Sequence, residues 1–223
     1  MKFAIVVFPG TSGERELYHT VKDLLDCEAE YIWHKETNLD AYDAVLLPGG
    51  LAHGDYLRCG ALAARTAIIP AIKEAALAGK PVLGICNGFQ ILTEAGLLPG
   101  AFLQNEILRF MCGMASVVVE NNETMFTKEY TKGETIELPI AHGQGRYWAD
   151  EATIRELKAT NRIVFTYKDN PNGSTEHIAG IVNETGNVLG LMPHPERAVE
   201  KLLGSDDGKR LFQSILETWR MGL

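Results

Sequence analysis

The sequence has few cysteines and no cluster of basic residues. Its cysteines are Cys27, Cys59, Cys86 and Cys112, and they show neither Cys-x-x-Cys spacing nor the density of a secreted disulfide scaffold. This usage favours a reducing cytoplasm. The chain carries 21 Lys and Arg against 29 Asp and Glu, a formal net charge of −8. Because phosphate binding needs clustered Lys and Arg, we expect no nucleic-acid partner.

Long apolar runs and linkers are also missing. No run approaches the roughly 18 apolar residues of a membrane span, so we expect no membrane contact. The N-terminal apolar run reaches Pro9-Gly10 too soon for a secretory signal. No Pro/Ser-rich stretch divides the 223 residues, of which 46% are hydrophobic. We therefore predict one domain over residues 1–223 with a fully buried sheet.

Short apolar runs alternate along the chain with segments whose apolar residues recur at helical spacing, which is typical of an α/β protein. Strands are predicted at 3–8, 29–34 and 42–47, and a Thr-x-x-Glu capping box at 11–14 predicts the start of the first helix. Residues 61–80 have helical spacing interrupted by Pro70. Short β-like pieces between 106 and 140 predict antiparallel strands at a sheet edge. The pattern indicates a doubly wound sheet with added antiparallel strands.

One stretch, 80–92, combines an apolar strand, a small-residue turn and a helix. Its turn reads Gly84-Ile85-Cys86-Asn87-Gly88, which is typical of a nucleophile elbow because the glycines let strand and helix approach closely. We expect Cys86 to be presented rather than buried, with the Asn87 N–H able to stabilise a negative oxygen. Gln90, one turn on, shares the helix face of Cys86. The alternative is an inert core cysteine, and several hydrolase and transferase chemistries fit the pattern.

A candidate general base lies near the C-terminal end of the chain. His194 stands between Pro193 and Pro195 at the end of a predicted strand, so its backbone is held rigidly. Glu196 can accept a hydrogen bond from one ring nitrogen and leave the other to face a thiol. A surface ion pair is the alternative. Since Cys86 also follows a strand, parallel strands would bring both residues to one edge of the sheet.

Two glycine-containing segments are candidate ligand loops. Gly49 and Gly50 end the third predicted strand, where open α/β sheets place their sites, although an ordinary tight turn fits equally. His142 and Gly143 begin a segment in which glycines alternate with polar residues, which suits backbone approach to a ligand or a solvated hairpin.

Taken together, these motifs resemble the class I (triad) glutamine amidotransferases, and most closely the glutaminase subunits of phosphoribosylformylglycinamidine synthase. The resemblance covers essentially the whole chain. It is carried by Phe8-Pro9-Gly10, Pro48-Gly49-Gly50, Gly54-Asp55-Tyr56-Leu57-Arg58, Cys86-Asn87-Gly88-Phe89-Gln90-Ile91-Leu92, Ala141-His142-Gly143 and Pro193-His194-Pro195-Glu196-Arg197-Ala198. The chain departs from the family at Thr11-Ser12-Gly13 and at Leu51-Ala52-His53.

The resemblance implies a flavodoxin-like fold and a role for each site residue. Cys86, His194 and Glu196 would form the catalytic triad, and the backbone of Gly50 and Asn87 would hold the oxyanion. Glutamine would be bound by Gly49, Gly50, Gln90, His142 and Gly143, so Gly50 would serve both the oxyanion and the substrate.

The resemblance also implies partners and cofactors. The chain would hydrolyse glutamine and pass ammonia to a synthetase subunit, with a small bridging subunit between them. ATP and Mg would lie on the synthetase, which converts formylglycinamide ribonucleotide to formylglycinamidine ribonucleotide in purine biosynthesis. We expect no cofactor and no metal on this chain. The rival hypotheses are a cysteine peptidase or thiol chaperone on the same scaffold, and a non-catalytic regulatory module.

Overall fold

A computed structural model describes residues 1–222 of the chain. The strands are β1 (Lys2–Val7), β2 (Glu28–Trp33), β3 (Ala44–Leu47), β4 (Val82–Ile85), β5 (Ala101–Leu103), β6 (Met111–Val119), β7 (Thr135–His142), β8 (Arg146–Trp148), β9 (Ile163–Tyr167), β10 (Ile178–Val182) and β11 (Val188–Leu191). The α-helices are α1 (Glu14–Tyr18), α2 (Ile68–Leu77), α3 (Asn87–Glu94), α4 (Glu151–Ala159) and α5 (Lys209–Arg220). Single 3-10 turns occur at Ala52–Asp55, Ala63–Arg65, Thr175–His177, Pro195–Arg197 and Lys201–Leu203.

A nine-stranded sheet organises the chain, in the order β2-β1-β3-β4-β11-β10-β9-β6-β7. Along this order, the neighbouring strands from β2 to β11 pair in parallel. The neighbouring strands from β11 to β7 pair antiparallel. Every residue of β3, β4 and β11 is buried, as expected of strands covered on both faces. The predicted fold class, a central parallel sheet extended by antiparallel strands, is confirmed.

Most predicted elements lie within a few residues of their observed positions. The edge strands predicted between 106 and 140 are the antiparallel pair β6 and β7. The segment 61–80 forms a 3-10 turn at Ala63–Arg65 followed by α2, with Pro70 in the first turn of α2. A proline is tolerated there because the first N–H groups of a helix have no partner within the helix.

The predicted capping box is wrong. The N-cap of α1 is Gly13, and no side chain caps the helix. The Thr11 hydroxyl is not free for capping because it accepts a hydrogen bond from Phe8 N–H at 2.9 Å. After Tyr18 the helix continues as a wider π-helical segment, His19–Leu24.

Three strands end together and define one edge of the sheet. β4 pairs with β3 through Gly84 and Leu47 and with β11 through Ile85 and Leu191. The Cys86 N–H donates to Leu191 O at 2.8 Å, which ties the turn after β4 to the end of β11. The His194 N–H donates to Pro139 O of β7 at 2.7 Å. The residues that follow β3, β4 and β11 therefore meet at the carboxyl ends of these strands.

The buried apolar side chains form a core cluster that extends from Phe3 in β1 to Leu216 in α5. Within residues 1–222, no helix has both the length and the apolar composition needed to cross a bilayer.

Candidate active site

Cys86 occupies a strained turn between β4 and α3. Its backbone has φ 51° and ψ −106°, a region that costs a non-glycine residue about 1–3 kcal/mol. A Cβ on Gly84 would lie 2.6 Å from Gly88 O, and a Cβ on Gly88 would collide with Leu47 O. Both glycines are therefore required by the close approach of helix and strand.

The thiol lies inside a cavity and not at the surface. Cys86 is only 5% exposed, so the expectation of a presented, unburied residue is wrong. It lines a cavity of about 380 Å³, at the small end of ligand sites. The walls contributed by the loops after β3, β7 and β11 enclose the thiol, and sequence reasoning about the turn alone did not take them into account. Cys86 Sγ lies 3.8 Å from Ala141 O.

His194 and Glu196 form a buried pair beside this cavity. His194 Nδ1 lies 2.6 Å from Glu196 Oε1, with exposures of 2% and 1%. The opposite ring nitrogen, Nε2, makes no hydrogen bond with the described residues. Burial acts to lower the pKa of His194, but the charges of Glu196 and Cys86 outweigh it and raise that pKa above its usual value.

The Gly49-Gly50 turn packs directly on the thiol and the imidazole. A Cβ on Gly49 would lie 2.8 Å from His194 Cε1 and 3.5 Å from Cys86 Cβ, so no larger residue fits. Gly50 has φ +143°, and a Cβ there would lie 2.5 Å from Gly10 O. The Leu51 N–H donates to Gly10 O at 2.8 Å. Of these neighbouring amides, the Gly50 N–H has no partner among the described residues and is free for a ligand.

The Asn87 side chain fixes the cavity wall. Its Oδ1 accepts from Ala52 N–H at 2.9 Å, and its Nδ2 donates to Asp55 Oδ1 and to Gln90 Oε1, each at 2.9 Å. Gln90 Nε2 in turn donates to Gln144 O at 2.7 Å. The loop after β3, the start of α3 and the loop after β7 are thereby joined by amide hydrogen bonds.

His142, which also lines the cavity, is held as a neutral imidazole. The pKa of His142 is lowered from 6.5 to about 4. Burial is the larger cause, and the neighbouring charge of His194 is the smaller one. Its Nδ1 lies 3.1 Å from Asn105 Oδ1, which acts as acceptor. Asn105 also donates to His142 O and accepts from Gly145 N–H, both at 2.9 Å. The segment that begins at His142 and Gly143 is therefore fixed, not a loose hairpin.

The predicted site residues meet at this cavity. Its lining includes six of them: Gly50, Cys86, Gln90, His142, Gly143 and His194. Gly49 lies beneath the His194 ring, Glu196 lies behind it, and Asn87 opens α3.

The part of the chain that forms the nine-stranded sheet and the cavity matches one domain family. Residues 1–216 match the CobB/CobQ-like glutamine amidotransferase domain. The chain belongs to this family. The resemblance drawn from the motifs is confirmed, and the chain is a glutamine amidotransferase.

Solved structures agree with this family assignment. A structure of PurLQS from Thermotoga maritima is 48% identical, with 98% of each chain covered and a TM-score of 0.90. A glutamine amidotransferase from Thermotoga maritima is 19% identical, covering 98% of this chain and 97% of that one, with a TM-score of 0.66. The glutaminase domain of Trypanosoma brucei CTPS with bound acivicin is 14% identical, covering 97% and 94%, with a TM-score of 0.63. The last two share the fold.

Several cavity residues were not assigned to the site from the sequence. They are Ser12, Leu51, Asp55, Phe110, Ala141, Gln144 and Arg197. Ser12 and Leu51 belong to the two segments where the motifs depart from the family pattern, so both departures lie on the cavity wall. Asn105, fully buried behind His142, was also missed. The side chains of Asp55 and Asn105 could be placed only by contacts between distant parts of the chain.

Metal-ligating side chains are scattered in the described part of the chain. In residues 1–222, no group of three or more His, Cys, Asp or Glu could hold a metal ion. The four cysteines are free thiols, and Cys112 is the exposed one.

Proposed function

We propose that this glutamine amidotransferase hydrolyses glutamine at Cys86, with His194 and Glu196 completing a catalytic triad. The observation that carries the proposal is the buried His194–Glu196 pair beside a strained cysteine in the same cavity. The charge of Glu196 helps to raise the pKa of His194, which suits His194 to take up the proton of Cys86 when the thiol reacts.

The thiolate of Cys86 attacks the carboxamide carbon of glutamine. His194 gives its proton to the departing nitrogen, ammonia leaves, and a glutamyl thioester remains. Water then gives a proton to His194 as its oxygen attacks the thioester, and the thiolate leaves to release glutamate. Glu196 holds the imidazole orientation throughout.

Two backbone amides are suited to hold the oxyanion of each tetrahedral intermediate. Asn87 directly follows Cys86, Gly50 lines the same cavity as Cys86, and the N–H groups of Asn87 and Gly50 have no partner among the described residues. Each such donor contributes about 3 kcal/mol to transition-state stabilisation, roughly a hundredfold in rate. Gln90, His142, Gly143 and Gly49 then form the surface that binds the rest of glutamine.

We further propose that the chain is the glutaminase subunit of phosphoribosylformylglycinamidine synthase. Its similarity to PurLQS, 48% identity over 98% of both chains, supports this assignment. Ammonia would pass to a synthetase subunit for the ATP-dependent conversion of formylglycinamide ribonucleotide in the cytoplasm. ATP and Mg would be bound there, and a small bridging subunit would complete the assembly. This chain would need no cofactor or metal of its own.

Exposed apolar side chains near the cavity mouth support a protein partner. Leu51 and Phe110 line the cavity, Tyr56 and Leu57 follow Asp55, and all four are more than half exposed. Apolar groups clustered beside a site are typical of a surface that another protein covers.

The proposal is tested by labelling the chain with 6-diazo-5-oxo-L-norleucine, a glutamine mimic, in the presence of the synthetase subunit. We expect one adduct at Cys86 by peptide mass spectrometry and ammonia release from glutamine by the unlabelled complex. Peptide cleavage without ammonia release would support a cysteine peptidase instead. Absence of both the adduct and ammonia release would support a non-catalytic module.

A further inference from the structure

Asp55 is the only carboxylate among the described residues that line the cavity. It belongs to the loop after β3, the same loop that carries Gly50. Arg197 supplies a permanent cation on the cavity wall, but its Nε lies 3.4 Å from Glu16 Oε1. Asp55 has no such ion-pair partner among the described residues, so its charge is available to a ligand.

Hydrogen bonds hold Asp55 in place through one oxygen only. Asp55 Oδ1 accepts from Asn87 Nδ2 at 2.9 Å and from Gly60 N–H at 3.3 Å. Asp55 Oδ2 makes no hydrogen bond with the described residues and is not a buried atom. The backbone of Asp55 has φ 52°, a conformation that persists only where the surroundings fix it. A rigidly placed carboxylate oxygen is therefore left free.

The surroundings of Asp55 favour a cationic ligand. Partial burial raises the pKa of Asp55, against the opposing effect of its bonds to Asn87 and Gly60. A partly desolvated carboxylate gains more from a cation than one in bulk water does. Gln90 is a poorer acceptor for a cation, because its Oε1 already accepts from Asn87.

We propose that Asp55 binds the α-ammonium group of the glutamine substrate and so selects an α-amino acid amide over other amides. The proposal rests on the proposed glutaminase function. With the carboxamide at Cys86, the ammonium lies at the other end of the substrate's short carbon chain. Asn87 directly follows Cys86 and binds Asp55, so one residue links the reacting centre to the carboxylate.

The test compares glutamine with 4-carbamoylbutanoate, which differs only in lacking the α-amino group. Glutamate or glutarate formation is measured for the chain in complex with its synthetase. A charge-assisted hydrogen bond predicts that wild type prefers glutamine by about ten- to a hundredfold in kcat/KM. In Asp55→Asn, KM for glutamine should rise by about tenfold or more while kcat stays within about threefold. The kcat/KM for 4-carbamoylbutanoate should not change.

Glu94→Gln is the matched control, because Glu94 pairs with Arg58 and does not line the cavity. It should keep the wild-type preference. Equal losses on both substrates in Asp55→Asn would overturn the proposal and give Asp55 a structural role through Asn87. A wild-type enzyme that prefers glutamine over 4-carbamoylbutanoate by less than about threefold would by itself overturn the proposal. Absence of glutamine hydrolysis by wild type would overturn the proposed function and this inference with it.

Discussion

His194 Nδ1 lies 2.6 Å from Glu196 Oε1, and both side chains are almost completely buried. Because a carboxylate accepts hydrogen bonds and does not donate them, this contact requires a proton on Nδ1. Glu196 therefore determines both the tautomer and the orientation of the His194 ring. In the proposed mechanism, Nε2 is then the nitrogen that exchanges a proton with Cys86. The short Pro193–Pro195 segment adds backbone rigidity to this arrangement.

Glu196→Gln should reduce kcat for glutamine hydrolysis by about 10²–10⁴-fold with little change in KM. The Gln amide can donate to Nδ1 and so favour the tautomer that leaves no base at Nε2. Steady-state ammonia release by the assembled complex measures the effect. Glu16→Gln, which alters the ion pair of Glu16 with Arg197 and leaves the His194–Glu196 pair intact, is the control and should stay within about threefold of wild type. A Glu196→Gln enzyme as fast as that control would contradict the orienting role.

Gly88→Ala should destabilise the protein by about 3 kcal/mol or more. In an open helical position alanine is favoured over glycine by about 1 kcal/mol, so the expected sign is reversed by the collision of the added Cβ with Leu47 O. Urea unfolding followed by circular dichroism measures the change. Gly143→Ala is the control, since its added Cβ has only Phe110 Cδ2 within 4 Å, at 3.7 Å. Equal stability of the two variants would contradict the close approach of α3 and β3.

His142 should make the folded state less stable as pH falls. Its pKa is lowered from 6.5 to about 4 on folding, so between these values the unfolded chain binds more protons. The contribution of neutral His142 is therefore fully present above pH 6.5 and is lost as pH falls to about 4. The loss amounts to about 3 kcal/mol.

Comparing urea unfolding of wild type and His142→Gln across this pH range isolates the effect from the titration of carboxylates. The stability difference between the two proteins should change by about 3 kcal/mol, with the wild type losing more toward acid pH. NMR titration of the His142 ring gives an independent check. A ring that titrates at 6.5 or above would contradict the buried neutral state.

The sequence was sufficient for elements that carry their own signal. β3, β4 and β11 are buried on both faces and therefore appear as continuous apolar runs. The residues proposed for catalysis follow such runs, so the meeting of Cys86 and His194 could be expected from parallel pairing alone. The glycines around Cys86 are required because helix α3 packs closely against the neighbouring strands. They therefore leave a recognisable pattern in the local sequence.

Features that depend on distant contacts could not be predicted. β5 and β8 are only three residues long and show no periodicity, so their two-stranded sheet was missed. Asn105 and His142 are 37 residues apart in sequence, and nothing near Asn105 indicates its hydrogen bonds. The burial of Cys86 is likewise a product of loops that fold over it. The Thr11 to Glu14 pattern predicted a capping box that does not form, because the Thr11 hydroxyl accepts a hydrogen bond from the Phe8 N–H instead.

The most direct test of the proposed function uses Cys86→Ala in complex with the synthetase subunit. Formylglycinamidine ribonucleotide formation is measured with ATP and formylglycinamide ribonucleotide, once with glutamine and once with ammonium chloride. If Cys86 only releases ammonia, the variant should lose glutamine-dependent synthesis and keep the wild-type rate with ammonium. Equal loss with both nitrogen sources, or retained synthesis from glutamine, would contradict the account.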